Sequence, residues 1–143
     1  MRIHTSLIFL FLIFSINAFS QKSNHVEEIL DSNSFFFEND IKYIGKSTNV
    51  NPNYLYVMQS LQEKLEQNPS LKVHVRGHVC CGPSKAISRR RARRAARYIK
   101  KMGISKDRIS HYGYSNSKPL VIREKTEEDA RKNRRVDFIL SKQ

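Results

Sequence analysis

The chain predicts an α+β domain in which strands and helices alternate in the order β-α-β-α-β-α-β. Three observations carry that expectation. Apolar residues recur at helical spacing through residues 54–65 and 92–102. They alternate with polar ones at period two through 71–79 and 136–140. Between these runs stand the punctuators Asn51-Pro52, Asn68-Pro69, Gly103 and Thr126.

Each element follows from its residues. The segment FFFENDIKYI (35–44) is aromatic and β-branched with a polar break at Glu38-Asn39-Asp40, and predicts a first strand or a bent strand pair. GKSTNVN (45–51) is loop. A helix starts near Asn51-Pro52, where Asn can cap and Pro suits the first turn. Tyr54, Met58, Leu61 and Leu65 form its stripe, and Asn68-Pro69 stops it. In LKVHVRGHV (71–79), Leu71, Val73, Val75, Gly77 and Val79 face one way and Lys72, His74, Arg76 and His78 the other, predicting a half-buried strand. Ser84 or Ser88 caps the next helix, which runs to about Met102 before Gly103. A short strand is expected at 108–112, a loop through SNSKPLVIREK (115–125), and a helix at 126–135 with Thr126 as cap and Glu127, Glu128 and Asp129 in its electropositive first turn. VDFIL (136–140) closes the chain as a strand.

The first twenty residues point to a compartment. A basic start at Arg2 and His4 precedes the apolar run SLIFLFLIFSI, and Ala18-Phe19-Ser20 places small residues before Gln21. That is the pattern of a secretory signal peptide cut after Ser20. The run is short of the roughly 20 apolar residues that span a bilayer. The expected organisation is thus a signal peptide (1–20), a polar flexible lead-in (21–34) and one domain (35–143), with no transmembrane segment in the mature chain and too few alternating segments for a closed barrel. The chain carries a formal charge of +13, of which the leader holds only Arg2. Such a balance favours polyanions. For an exported chain these are wall polymers and lipid phosphates, and nucleic acid is not expected.

The charge concentrates on the second helix, where no acidic residue occurs from Gly82 to Lys106. At 100° per residue, Ala92, Ala95, Ala96, Ile99 and Met102 form one face, and Arg90, Arg93, Arg94, Arg97 and Lys101 the opposite one. For each outward arginine a solvated face suffices; together they create a salt-sensitive attraction for anionic envelope material. Arg91 differs. It sits at the rim of the apolar arc, near the end of the preceding strand, where a guanidinium can present its fork to a carboxylate.

Several residues together resemble a known family. They are Gly77-His78, Ile87-Ser88-x-x-Arg91-Ala92, Gly103-Ile104, Asp107-Arg108-Ile109, Gly113-Tyr114, Pro119 and Asn133-Arg134-Arg135-Val136. In this order they are similar to the C-terminal domain of OmpA-like proteins, the family of the peptidoglycan-associated lipoprotein and of flagellar-motor stator domains. The resemblance covers residues 35–140. It implies helices packed on one face of a mixed four-stranded sheet and non-catalytic binding of peptidoglycan through the diaminopimelate of a stem peptide. Arg91 corresponds to the family's carboxylate-gripping arginine. Asn133, Arg134 and Arg135 correspond to a segment that partly lines and partly braces the pocket. His78, Val79, Cys80 and Ile87 complete the implied ligand-binding set. The chain departs from the family where an Asp in Thr-Asp would meet the ligand ammonium: Val79-Cys80 stands there, followed by Cys81, and the following loop is shorter. An outer-membrane partner protein is implied if the domain is to tether that membrane to the wall. No cofactor or metal is implied.

Cys80 and Cys81 leave alternatives open. They can be two packed thiols or a vicinal disulfide, since export permits oxidation. A thiolate stabilised by Arg91, His78 and the helix start would replace the missing acid. Metal binding with His74 and His78 is awkward for adjacent ligands. Two other functions therefore compete with wall binding: a thiol-redox or metal-responsive module on Cys80 and Cys81, and a general envelope polyanion binder using the arginine-rich helix. His25 and His111 have no partner pattern. No Ser-His-Asp order, paired carboxylates or phosphate loop supports an enzyme.

Overall fold

The computed structural model describes residues 33–142. The signal peptide and residues 21–32 of the lead-in lie outside them. The elements are β1 (Ser34–Phe36), β2 (Ile41–Lys42), α1 (Leu55–Gln67), β3 (Leu71–His78), α2 (Lys85–Lys101), β4 (Ile109–Ser115), α3 (Glu127–Asn133) and β5 (Arg135–Lys142). The fold is α+β with a mixed, open sheet. The strand order is β1-β5-β3-β4, and β2 also pairs with β5. Only β3 and β4 run parallel; β5 is antiparallel to β1, β2 and β3. Five strands therefore replace the expected four, because the polar break at Glu38-Asn39-Asp40 splits the first one. Both halves lie on β5, with Phe36 opposite Ile139 and Ile41 opposite Val136.

The core lies between one sheet face and helices α1 and α2. Val73, Val75, Val136, Phe138 and Leu140 meet Val57, Met58, Leu61 and Leu65 from α1 and Ala92, Ala95, Ala96 and Ile99 from α2. The alanines let α2 come close, and two glycines let it come closer. A Cβ on Gly77 would stand 2.0 Å from the carbonyl oxygen of Ser88, and one on Gly113 would stand 2.3 Å from the amide nitrogen of Arg89. The first turns of α2 therefore lie directly on β3 and β4. Ser88 Oγ accepts from the Ser115 amide at 3.1 Å and donates to the Lys85 carbonyl. Ser84 holds the position before α2 without a side-chain cap, its amide donating to Ser115 Oγ, and of the two expected serine caps only Ser88 uses its hydroxyl, as a cross-link to β4.

The remaining ends follow their local chemistry. Asn51 Oδ1 accepts from Asn53 N at 2.9 Å and starts a 3-10 turn that leads into α1. Thr126 and Asp129 form a reciprocal capping box on α3. Arg108 donates to the carbonyls of Leu71, Leu65 and Asn68, tying β4 to the α1–β3 turn.

One expectation fails at the end of β3. Arg76 and His78 were assigned to a solvated face, yet both are buried. Asp137, their cross-strand neighbour on β5, draws in Arg76 Nε (2.6 Å) and Arg135 Nε (2.9 Å), while the Arg76 guanidinium lies over the rings of Phe36 and Tyr114. A strand can bury both faces when its polar side chains neutralise one another.

Candidate functional site

The close seating of α2 delivers Arg91 to the end of β3 with no exposed surface at all. Its Nε donates to the Ser47 carbonyl (2.8 Å), Nη1 to the His78 carbonyl (2.9 Å) and Nη2 to the Gly45 carbonyl (2.7 Å). Its carbon Cζ lies 4.5 Å from the centroid of the Tyr43 ring. Among the described residues no carboxylate pairs with this guanidinium. Burial disfavours the charged form and pulls its pKa down to about 10, against the upward effect of Tyr43. Burial likewise pushes the Tyr43 hydroxyl up to about 12.

Beside Arg91 is an open cavity of about 470 Å³, lined by the 45–46 loop, the 79–84 turn, Ile87, Arg91 and Arg134. The turn is shaped by its backbone. Cys81 has φ 55° and Gly82 φ 111°, so two successive residues take the left-handed conformation. The sulfurs of Cys80 and Cys81 are joined across Cα atoms 3.8 Å apart. Arg134 Nη1 approaches Cys80 Sγ at 3.4 Å, its Nε donates to the Tyr43 carbonyl, and its outer nitrogen pairs with Glu127. The N-terminal turn of α2 also borders the cavity through Ser84 and Ile87, adding a partial positive charge.

The implied ligand set divides around this cavity. Val79, Cys80, Ile87, Arg91 and Arg134 line it, and His78, Asn133 and Arg135 do not. The His78 carbonyl holds Arg91, but its ring lies on the sheet face away from the helices, stacked on Tyr114 at 5.7 Å and 3.2 Å from Asp137 Oδ2. Arg135 joins that same network. Asn133 is buried and braces the loop before α3: its Oδ1 accepts from Leu120 N and Val121 N, and its Nδ2 donates to the Val121 carbonyl and to Glu124. The proposed metal grouping of the cysteines with His74 and His78 is not assembled. His74 Nδ1 is instead 2.7 Å from Ser110 Oγ, and the acid beside the sulfurs is Glu124. Two contributors escaped the sequence reading. Tyr43 read as strand apolar content, and Lys46 as loop. Only the fold shows that the Tyr43 ring lies against Arg91 and that the 45–47 loop closes over it.

An open mixed sheet with two helices on one face, and a charged pocket where β3 enters α2, defines a small α+β module with a site at the strand–helix corner. The OmpA family model matches residues 43–134, and the chain belongs to that family. Outer membrane porin F of Pseudomonas fluorescens is 34% identical over 104 residues, covering 70% of this chain; the chain spans only 32% of that protein. Among solved structures, the peptidoglycan-associated lipoprotein from Burkholderia pseudomallei superposes with a TM-score of 0.67 at 18% identity, covering 73% of this chain and 91% of that one. A putative MotB-like protein from Desulfovibrio vulgaris gives 0.68 at 18% identity, covering 79% and 78%. These structural likenesses establish the shared fold.

Proposed function

We propose that this protein is a non-catalytic peptidoglycan-binding module of the cell envelope, exported through its N-terminal leader, and that Arg91 receives a carboxylate of a stem peptide in the cavity beside β3. Membership of the OmpA family and the peptidoglycan-associated protein among its structural relatives support the ligand class. The observation that carries the reading is the buried guanidinium itself. It is held by three neutral carbonyls and an aromatic ring and, among the described residues, has no acid to offset its charge, so an arriving carboxylate completes an otherwise one-sided electrostatic arrangement. Lys46 and the start of α2 reinforce the same sign around the cavity, while Arg134 is paired with Glu127.

The carbonyls of Gly45 and Ser47 cover Arg91, so a ligand carboxylate must displace part of that loop. Binding therefore couples to movement of the 45–48 loop, most of which is exposed. The test uses the unaltered protein on purified sacculi. A soluble stem peptide ending in a free diaminopimelate carboxylate should displace it, and the amide of the same peptide should not. Failure to pellet, or equal displacement by acid and amide, removes the reading. Truncating Arg91 is a poorer test, because it also removes three internal hydrogen bonds.

A further inference from the structure

Cys81 and Glu124 meet across a long separation in the chain. Glu124 Oε2 accepts from the Cys81 amide at 3.1 Å and lies 3.3 Å from Cys81 Sγ. The sulfurs of Cys80 and Cys81 and the Glu124 carboxylate all fall within 4.8 Å of one another, and both cysteines line the cavity. Oε1 accepts from Asn133 Nδ2, and Asn133 in turn fixes residues 120–121. The carboxylate is thus set in place by two neutral N–H groups from two different segments. Among the described residues it has no basic side chain in salt-bridge range. It is half-buried, and lone pairs on both oxygens remain unused. Glu124 sits against the Cys80–Cys81 turn that lines the cavity, and the charged residues of the lining itself, Lys46, Arg91 and Arg134, are all basic.

We infer that Glu124 is the acidic partner at the edge of this pocket, behind the Cys80–Cys81 turn: it receives the ammonium of a ligand whose carboxylate is met by Arg91, and so selects a zwitterionic amino-acid unit over a plain carboxylate. The inference rests on the proposed stem-peptide reading and assigns the amine specificity of that site to a residue from the β4–α3 loop. Asn133 acts here as a positioning residue, since it sets the carboxylate without lining the cavity. The joined Cys80–Cys81 pair presents the amide that orients Oε2, so this corner contributes geometry in place of charge.

The test is a calorimetric titration of the protein with two soluble stem peptides, one ending in diaminopimelate with its side-chain amine free and one with that amine acetylated. The wild type should prefer the free amine by about tenfold or more, the size of a charge-assisted hydrogen bond. Glu124→Gln should abolish that preference while binding the acetylated peptide as the wild type does, which also shows that the variant is folded. Undiminished preference in Glu124→Gln overturns the assignment. Equal loss of both peptides in the variant also overturns it, since the residue would then be structural. If the wild type binds neither peptide, the stem-peptide reading itself falls.

Discussion

Arg91 and Asp137 are both buried charges, and they are compensated in opposite ways. Arg91 rests on carbonyl dipoles and an aromatic face, which leaves its net charge available. Asp137 is surrounded by Arg76, Arg135 and His78, so its charge is fully consumed inside the fold. Although burial alone would raise the Asp137 carboxyl, the adjacent His78 ring and the paired bonds from Arg76 hold it far below the ordinary carboxylate range. His78 then has little to gain by ionising. Burial is the largest influence and lowers its pKa from 6.5, with Asp137 opposing and Arg135 and Arg76 assisting. The sign of the consequence is fixed. As pH falls through the ordinary histidine range, the unfolded chain takes up a proton that the folded ring refuses, so stability falls on acidification and is fully present above that range. Asp137 contributes in the other window: its stabilisation is complete above the ordinary carboxylate range and is lost only at much lower pH. The urea midpoint should therefore drop between about pH 7.5 and about pH 5.5, and His78→Phe, which keeps a flat ring over Tyr114, should flatten that drop. An identical slope in the variant would assign the acid sensitivity to other groups.

At the scale of elements, the contact of α2 with β3 and β4 decides where the site lies. Gly77 and Gly113 have no room for a Cβ, because the obstacle in each case is backbone of α2. Gly77→Ala should push the helix outward and cost about 3 kcal/mol, at the upper end of overpacking penalties. A guanidinium-chloride midpoint within error of wild type would show that the helix is not seated there. The sequence showed α2 clearly, because its apolar face is narrow and its arginines crowd the other side. It put Arg91 near the end of the preceding strand but at the rim of the apolar face, whereas the structure buries it fully with its fork on three carbonyls. What could not be read was the closure of residues 45–47 over that arginine, since a loop of Gly, Lys and Ser has no periodicity to report its partner. The burial of Arg76 and His78 was hidden for a related reason. Strand alternation marks polar residues as outward, and only the register with β5 brings Asp137 opposite Arg76. Glu124 lay in a stretch read as loop, and its meeting with Cys81 depends on Asn133, whose motif marks the residue without showing what it holds. The cysteine pair had several open chemistries in the sequence; the structure joins the two sulfurs.

Across the whole molecule, the positive charge has two locations with different physics. The cavity charges are short-range and partly screened from solvent. On α2, by contrast, Arg90, Arg93 and Arg97 are exposed and the helix carries no acid to neutralise them. Arg94 is partly committed, since its guanidinium bonds Thr48 and Asn49. Exposed charges act over about one Debye length, roughly 8 Å at physiological salt and about 3 Å at 1 M. The arginine face should therefore gather the protein onto anionic wall and speed association, while leaving selectivity to the pocket. Converting Arg90, Arg93 and Arg97 to Gln together should weaken sacculus binding severalfold at low ionic strength and scarcely at all at high salt. Displacement by the free stem peptide should survive in that variant, because Arg91 lies on the buried face of the helix and the three substituted arginines on its exposed face. If the triple variant instead lost all binding at every salt concentration, the arginine face would be the binding surface and the cavity only its neighbour.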